Sequence, residues 1–383
     1  MSTFREDCDY IVAHALSACM PDKLVISALQ DFKRPKGRLI LVAIGKAAFK
    51  MAEGAALSLP SEIDEGIVIT KYGHSYKSSV NTDSMARLRV YEAGHPLADE
   101  NSVNATEEVL KMTENLTSDD EILFLISGGG SALFESPACS LKELQDTTDR
   151  LLKSGADIYE LNSVRSKLSK VKDGKFAEHC KPAHITALIL SDVLGDKIEV
   201  IASGPALGDN VETGIIGNVE LLCNMTKKAC EEMGYKAEIV TSALTGYAAD
   251  AGTMLAAKAQ EEVSACDKHT SRAFIYGGET TVVVKGKGCG GRNTEIVLSA
   301  ALGIENLDNV AIFSIGSDGT DGPTDAAGGF VDSSTAKALS REVIREALED
   351  NDSYNALKKV NSLIVTGPTN TNLNDVSVVL VKN

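Results

Sequence analysis

The sequence predicts an α/β protein: a parallel sheet covered by helices on both faces, then a mixed part in which antiparallel pairing enters. Two observations carry this. Through most of the chain, short runs rich in Ile, Leu and Val alternate with helical patterns. Parallel strands buried on both faces read that way. Near residue 270 the alternation gives way to closely spaced strand-like runs and glycine turns. The length of 383 residues suits two domains at roughly 150 residues each.

The chain opens with an amphipathic helix, because Phe4, Cys8, Ile11, Val12, Ala15 and Cys19 recur at helical spacing. RLILVAI (38–44) is a buried strand and GKAAFKMAEGAALS the helix after it. GIVIT (66–70) and LRVYEAG (88–94) are further strands, and ADENSVNATEEVLKMTENL a helix with Asp99 near its start. EILFLIS (121–127) is another buried strand, followed by the helix SLKELQDTTDRLLKSG, which Gly155 ends. ITALILS (185–191) and KAEIVT (236–241) are strands, with the helix VELLCNMTKKACEEMG between them. RAFIYGGETTVVVKGKG is expected to form two strands around a Gly-Gly turn. The helix NTEIVLSAALG, the strand NVAIFSI and a Gly/Asp-rich loop follow. The helices STAKALSREVIREALE and SYNALKKV and the strands NSLIVTG and VSVVLVK close the chain. The boundary between the two parts is expected around residues 235–270.

Composition narrows the function. The net charge of −16 disfavours non-specific binding to nucleic acid or an anionic membrane. It still allows an anionic small molecule in a locally positive pocket. Aromatics are 5% and Trp is absent, which argues against stacked-base recognition. No apolar run approaches the roughly 18 residues of a membrane span. The N-terminus carries Arg5, Glu6, Asp7 and Asp9 ahead of its apolar residues, so no signal peptide is expected and a cytoplasmic location is. The eight cysteines are scattered without a CxxC, as free thiols in a reducing compartment would be.

Three Gly-rich loops follow expected strands, where open α/β sheets present ligand sites. In Ser127-Gly128-Gly129-Gly130-Ser131, three glycines let backbone N–H groups approach an anion. The same residues also suit an ordinary tight strand-to-helix turn. Gly45-Lys46 puts a Lys at a helix N-terminus, where its charge is disfavoured unless an anion sits with it. It is not a Walker A motif, which needs an upstream Gly and a Ser/Thr after the Lys. The third loop runs from Gly316 to Asp325. Its carboxylates Asp318, Asp321 and Asp325 suit Mg²⁺ bound through one or two of them plus substrate oxygens. A solvated acidic turn has the same composition.

Other stretches converge on anion chemistry. Gly290-Gly291-Arg292-Asn293 places an Arg at a helix start, where it can clamp a carboxylate or phosphate. The G-x-G-x-G-G run there follows an expected hairpin, not the first strand of a βαβ unit, so it is a weak dinucleotide fingerprint. Asp192 and Asp196 lie just past ITALIL. Asp192 is a candidate general base or metal ligand, with helix capping equally open. In the basic stretch 162–175, Arg165, Lys167, Lys170 or Lys175 can help hold an anion or can line a solvated helix face. His95 in EAGHP suits a structural role as well as a catalytic one. No G-x-S-x-G, HExxH or HRD/DFG set appears, which removes most support for hydrolase, zinc-protease and protein-kinase readings.

AIGKAA, EAGHP, SGGGSAL, SVRSKLSKVK, LSDVLGD with IASGP, GGRN, SDGTDGPTDAAG and TGPTNTNLND (366–375) stand in one order. In that order they resemble the MOFRL-type glycerate 2-kinases, from about residue 40 to the C-terminus. The resemblance implies ATP-dependent phosphorylation of D-glycerate at the 2-hydroxyl with Mg²⁺. It implies a Rossmann-like domain over 1–240, a smaller mixed α/β domain over 241–383, and an active site in the cleft between them. The family's catalytic Lys falls on Lys46 and its catalytic Arg on Arg292. Homo-oligomerisation is left open. The chain departs from the family pattern at Thr294, where Gln is usual, at Lys172-Asp173-Gly174, where Lys-Gly-Gly is usual, and at Lys167, where His is common.

Joined to the residues above, this gives one expected mechanism. The Ser127–Ser131 backbone and Asn293 bind phosphate or substrate. Asp318, Asp321 and Asp325 hold the metal. Lys46 and Arg292 neutralise the moving phosphoryl group, and Asp192 accepts the hydroxyl proton. An NAD(P)H-dependent hydroxypyruvate reductase is the alternative enzyme, and a sugar-acid sensor the non-catalytic one. Glycerate 3-kinase regiochemistry is the alternative within the kinase reading.

Overall fold

Branched aliphatic residues fill β1 (Leu39–Ile44), β2 (Glu65–Lys71), β4 (Glu121–Ile126) and β5 (His184–Leu190). With β3 (Leu88–Ala93) and β6 (Val211–Gly217) they form one sheet in the order β3-β2-β1-β4-β5-β6, every pair parallel. All six residues of β1 are buried, as expected for a strand covered on both faces. The structure is a computed structural model that describes residues 3–154, 158–264 and 270–382, so the Gly155 stop lies outside the described residues. The chain divides into two units, Pro21–Asn218 and Met1–Met20 with Val219–Asn383.

In the unit Pro21–Asn218 the strand order reverses between β1 and β4, which is the doubly wound, Rossmann-like arrangement. Register pairs Leu39 with Glu121 and Ile44 with Ile126. The two Gly-rich loops that leave these strands therefore emerge side by side. Phe124, Phe134 and Phe176 pack edge to face at 5.0–5.8 Å between ring centroids. Phe134 follows the Gly130–Leu133 turn, so this cluster anchors the glycine loop to the core. Strand β6 and the helix Pro21–Ala28 escape the sequence reading. The β6 sequence VETGIIG mixes Gly, Thr and Glu with its apolar residues and runs half-buried along the sheet edge.

The other unit holds a mixed sheet. Its strands are β7 (Lys236–Leu244), β8 (Arg272–Gly278), β9 (Val310–Gly316), β10 (Gly328–Asp332), β11 (Leu363–Ile364) and β12 (Asp375–Val381). They lie in the order β11-β10-β9-β12-β8-β7, with β7–β8 parallel and the other pairs antiparallel.

Three expectations are corrected here. The hairpin expected in RAFIYGGETTVVVKGKG does not form. Past β8 the chain runs as a strap whose N–H groups at Lys285, Gly286, Lys287 and Cys289 donate to side chains of Asp350, Asn351 and Asp352. Gly286, Gly288 and Gly290 pass so close to residues 350–353 that a Cβ would collide with them. The long helix STAKALSREVIREALE breaks at Ser340, which has φ +61° and caps Val343.

The third correction is the division at residue 240. Contacts cut the chain at Asn218/Val219 and place the first helix with the C-terminal unit. The helix Phe4–Ala18 packs against the helix Val219–Glu232. Its buried Asp7 accepts the Tyr235 hydroxyl and pairs with Lys382 Nζ at 2.8 Å. A buried carboxylate needs such partners, and they lie at the far end of the sequence. Among the described residues, no single helix is long and apolar enough to cross a membrane.

Candidate active site

The loops after β1 and β4 are stitched together. Lys46 N–H donates to Gly128 O at 2.9 Å, Ala47 N–H to Ser127 Oγ at 3.1 Å, and Ser127 N–H to Ile44 O at 2.9 Å. Gly45 has φ +113°, and a Cβ on it would collide with Ser127. Gly129 has φ +86° and stands over His95 and Lys46, 3.0 Å from His95 Cδ2 and 3.4 Å from Lys46 Cγ at its missing Cβ. Among the described residues, the N–H groups of Gly128, Gly129 and Ser131 have no acceptor, while that of Gly130 closes a turn onto Ser127. Ser127 is buried and occupied in the stitching, so the loop offers backbone donors rather than the Ser127 hydroxyl.

The surroundings are cationic in an acidic chain. Among the described residues, the Lys46 ammonium has no carboxylate partner. Burial lowers the His95 pKa to about 4, reinforced by the positive charges of Lys46 and Lys71. Burial likewise lowers His74, whose Nδ1 lies 3.2 Å from Lys46 O. At neutral pH both rings are uncharged and can bind polar groups without a formal charge. The electrostatics and the free N–H groups both favour an anion at this point.

Much of the basic stretch 162–175 braces this loop. Lys172 is fully buried, pairs with Glu135 at 2.8 Å, and donates to Ser131 O at 2.7 Å and Phe134 O at 3.2 Å. Arg165 donates to Ser131 O at 3.2 Å, and among the described residues its Nε has no partner. Lys170 pairs with Glu107 and Lys175 donates to two backbone carbonyls, so these two are structural and not free anion ligands. Ser131 and Ser203 hydroxyls meet at 2.8 Å, which ties the IASGP segment to the loop. Asp192 stands half-buried past the carboxyl end of β5, and Asp196 accepts from Asn218 Nδ2.

In the C-terminal unit, Arg292 begins the helix Arg292–Ile304. Its Nε and Nη2 donate to the two oxygens of Asp375, and Nη1 donates to Glu279 at 2.7 Å. Of the five guanidinium N–H donors, two remain. Burial pushes Asp375 up to about 6, against the pull of Arg292. Two further sequence expectations change. Asp321 is not a metal ligand here but the cap of this helix. It accepts from Asn293 N–H at 2.9 Å, Thr294 N–H at 2.8 Å and Thr294 Oγ1 at 2.7 Å. Asn293 is fully buried, accepts from Ser314 and donates to Asp321, so its side chain is not offered to a ligand.

Asp318 takes both hydrogen bonds from Thr320 on Oδ1, and Asp325 accepts from Tyr354 at 2.7 Å. Among the described residues, no three His, Cys, Asp or Glu side chains gather into a metal-holding group. The expected three-carboxylate set is therefore not assembled.

The MOFRL family model matches residues 272–375, and a domain of unknown function, DUF4147, matches residues 7–228. A D-glycerate 2-kinase of Thermotoga maritima is 45% identical over 97% of this chain and 97% of its own length. The chain belongs to the MOFRL-type glycerate 2-kinase family. A crystal structure of glycerate kinase from Thermotoga maritima superposes with a TM-score of 0.92 at 44% identity, covering 98% of this chain and 99% of that one. A protein of Agrobacterium vitis described as a putative hydroxypyruvate reductase is 34% identical over 90% of this chain and 100% of its own.

Within the family pattern, Thr294 now has a reason. Its hydroxyl closes the cap with Asp321 and meets Ser353 at 2.9 Å. Sequence reasoning passed over Asp375, Glu279 and the Glu135–Lys172 pair. Asp375 ends the TGPTNTNLND motif and Glu279 follows the Gly-Gly of YGGETT, but an acid beside a turn carries no mark of its partner.

Proposed function

We propose that the protein transfers the γ-phosphoryl group of ATP to the 2-hydroxyl of D-glycerate in a direct in-line displacement. The observation that carries this reading is the anion site after β1 and β4. There, among the described residues, three backbone N–H groups without acceptors stand beside a lysine without a carboxylate partner, in a chain of net charge −16. In-line phosphoryl transfer depends chiefly on positioning and charge stabilisation. The Ser127–Ser131 loop binds a phosphate or the glycerate carboxylate. Lys46 neutralises charge on the group in transit. Arg292 offers its two remaining donors to a phosphate. Asp192 accepts the hydroxyl proton.

Magnesium fits one carboxylate of this chain. Asp318 has its hydrogen bonds on Oδ1, which leaves Oδ2 for a cation held mainly by phosphate oxygens, as is usual for Mg²⁺. Bound there, the metal would offset phosphate charge.

The test is an enolase-coupled assay with MgATP, D-glycerate, enolase, pyruvate kinase and lactate dehydrogenase. An enolase-dependent loss of NADH is expected, because enolase accepts the 2-phosphate and not the 3-isomer. Glycerate-dependent ADP release without that signal would move the transfer to the 3-hydroxyl. Silence in both would sink the kinase reading.

The Agrobacterium vitis relative raises a reductase reading. A nicotinamide dinucleotide is bound by G-x-G-x-x-G at the first strand-to-helix turn. Here that turn reads Gly45-Lys46-Ala47-Ala48, and the glycines at 286–291 pack a strap against residues 350–353. A rise in melting temperature with ATP and none with NADH separates the two readings.

A further inference from the structure

The C-terminal unit contains a pocket of ≈520 Å³ beside Arg292. We propose that this pocket binds the purine base of the nucleotide. The proposal rests on the phosphotransferase reading and adds to it the place where the donor is recognised.

Three features point to a flat, largely apolar ring with polar edges. The first is shape. One wall is glycine backbone at Gly288, Gly290, Gly291 and Gly322. Close packing keeps that wall bare: a Cβ on Gly291 would strike Asp321, and one on Gly322 would strike the Gly290 carbonyl. A bare backbone wall accepts a flat face. The second feature is apolar surface left open. Val282, Val284 and Pro323 line the pocket, and Val284 is 77% exposed. Exposed valine beside a cavity gains by being covered, because apolar surface then leaves water.

The third feature is unsatisfied polarity. Thr280 is 2% exposed, lines the pocket, and among the described residues its Oγ1 has no hydrogen-bond partner. A buried hydroxyl left unpaired is costly, so a ligand that supplies a partner is favoured. Glu295 lines the same pocket at 6% exposure and accepts from Asn351 at 3.3 Å. Burial raises its pKa, and its carboxylate can accept from an exocyclic amine. Arg292 and Glu295 are three residues apart and share one helix face. Arg292 thereby gives the pocket a cationic side for phosphate, and Glu295 a side suited to a base.

Glycerate is a poorer occupant. It has no apolar face to cover Val282 and Val284, and three carbons leave most of the volume empty. Pockets of about 300–1,000 Å³ suit ligands several times larger.

The test is calorimetric titration of ADP into the full-length wild type, Val284→Asp and Thr280→Val, with KM for ATP and for glycerate measured on the same samples. Val284 is exposed, so its substitution leaves folding intact. Val284→Asp is expected to weaken ADP and raise KM for ATP about tenfold or more, by placing a charge against the base, with KM for glycerate unchanged. Thr280→Val is expected to weaken ADP by a smaller factor. Wild-type ADP affinity in both variants, with kinase activity intact, would overturn the pocket assignment alone. A wild type that binds no adenine nucleotide and releases no ADP with glycerate would overturn the phosphotransferase reading along with it.

Discussion

Arg292 and Asp375 form a bidentate pair in which Nε and Nη2 of the guanidinium donate to the two carboxylate oxygens, the latter at 3.0 Å. Asp375 is 5% exposed at the start of β12, and Arg292 stands at the first turn of its helix. The strand thus sets the orientation of the arginine. A planar fork held on two sides has little freedom left to lose when a phosphate arrives.

The pair predicts a pH dependence. Burial raises Asp375 to about 6 and Arg292 opposes that rise. As pH falls through this value the carboxylate gains a proton, the clamp weakens and the arginine loses its alignment. An acid limb in kcat with an apparent pKa near 6 is expected. Asp375→Asn should lower kcat and abolish the limb. Arg292→Ala should lower kcat by about 10²-fold or more and move the residual limb to higher pH, because the charge holding Asp375 down is gone. A limb unchanged in Asp375→Asn would show that another group titrates.

Lys46 is the second prediction. Among the described residues its ammonium has no carboxylate partner, so Lys46→Met orphans no buried charge. Stability should stay within about 0.5 kcal/mol of wild type, while kcat falls about 10²–10³-fold. Melting temperature and steady-state kinetics on one preparation check both parts. Equal losses in both would make Lys46 a structural residue.

The sequence made one class of feature legible and concealed another. Strands such as LILVAI and EILFLI, and the glycine loop between Ser127 and Ser131, follow from local pattern and stand where expected. The pairing partners do not. Asp321 and Asn293 read as ligands because an acid on a glycine loop and an amide beside an arginine look available. In the fold they satisfy each other and a helix end. Lys172, in the stretch 162–175 that reads as a basic helix face, is fully buried on Glu135 although nothing in its spacing marks that partner. Hydrogen-bond saturation is a long-range property, and sequence spacing does not encode it. The chain division was hidden for the same reason, since Asp7 finds Tyr235 and Lys382 only in the folded chain.

His95 supplies a third prediction, read by NMR. Its pKa lies at about 4, lowered by burial and then by the charges of Lys46 and Lys71. Because the folded value lies below the unfolded one, the unfolded state binds the proton first. Stability is therefore lost as pH falls from about 6.5 toward 4. A phosphate at the glycine loop offsets the lysine charges and should raise the pKa of His95. A ring titration that ignores added phosphate or ATP would place the anion elsewhere.

The Lys172–Glu135 pair supplies the last prediction, in which stability and activity separate. Both side chains are fully buried, and Lys172 also holds the carbonyls of Ser131 and Phe134. Lys172→Met leaves the Glu135 carboxylate buried and unpaired, which should cost about 3–5 kcal/mol in chemical denaturation. Replacing both, Lys172→Met with Glu135→Leu, removes the stranded charge and should recover much of that loss, since apolar side chains of similar volume often match a buried ion pair. The glycine loop does not recover fully with it, because Ser131 O is then held by Arg165 without Lys172 and Phe134 O loses its lysine donor. The double variant should therefore melt near wild type yet keep a reduced kcat and a raised KM. If the double variant regained full activity along with its stability, Lys172 would be a core residue with no part in positioning the anion loop.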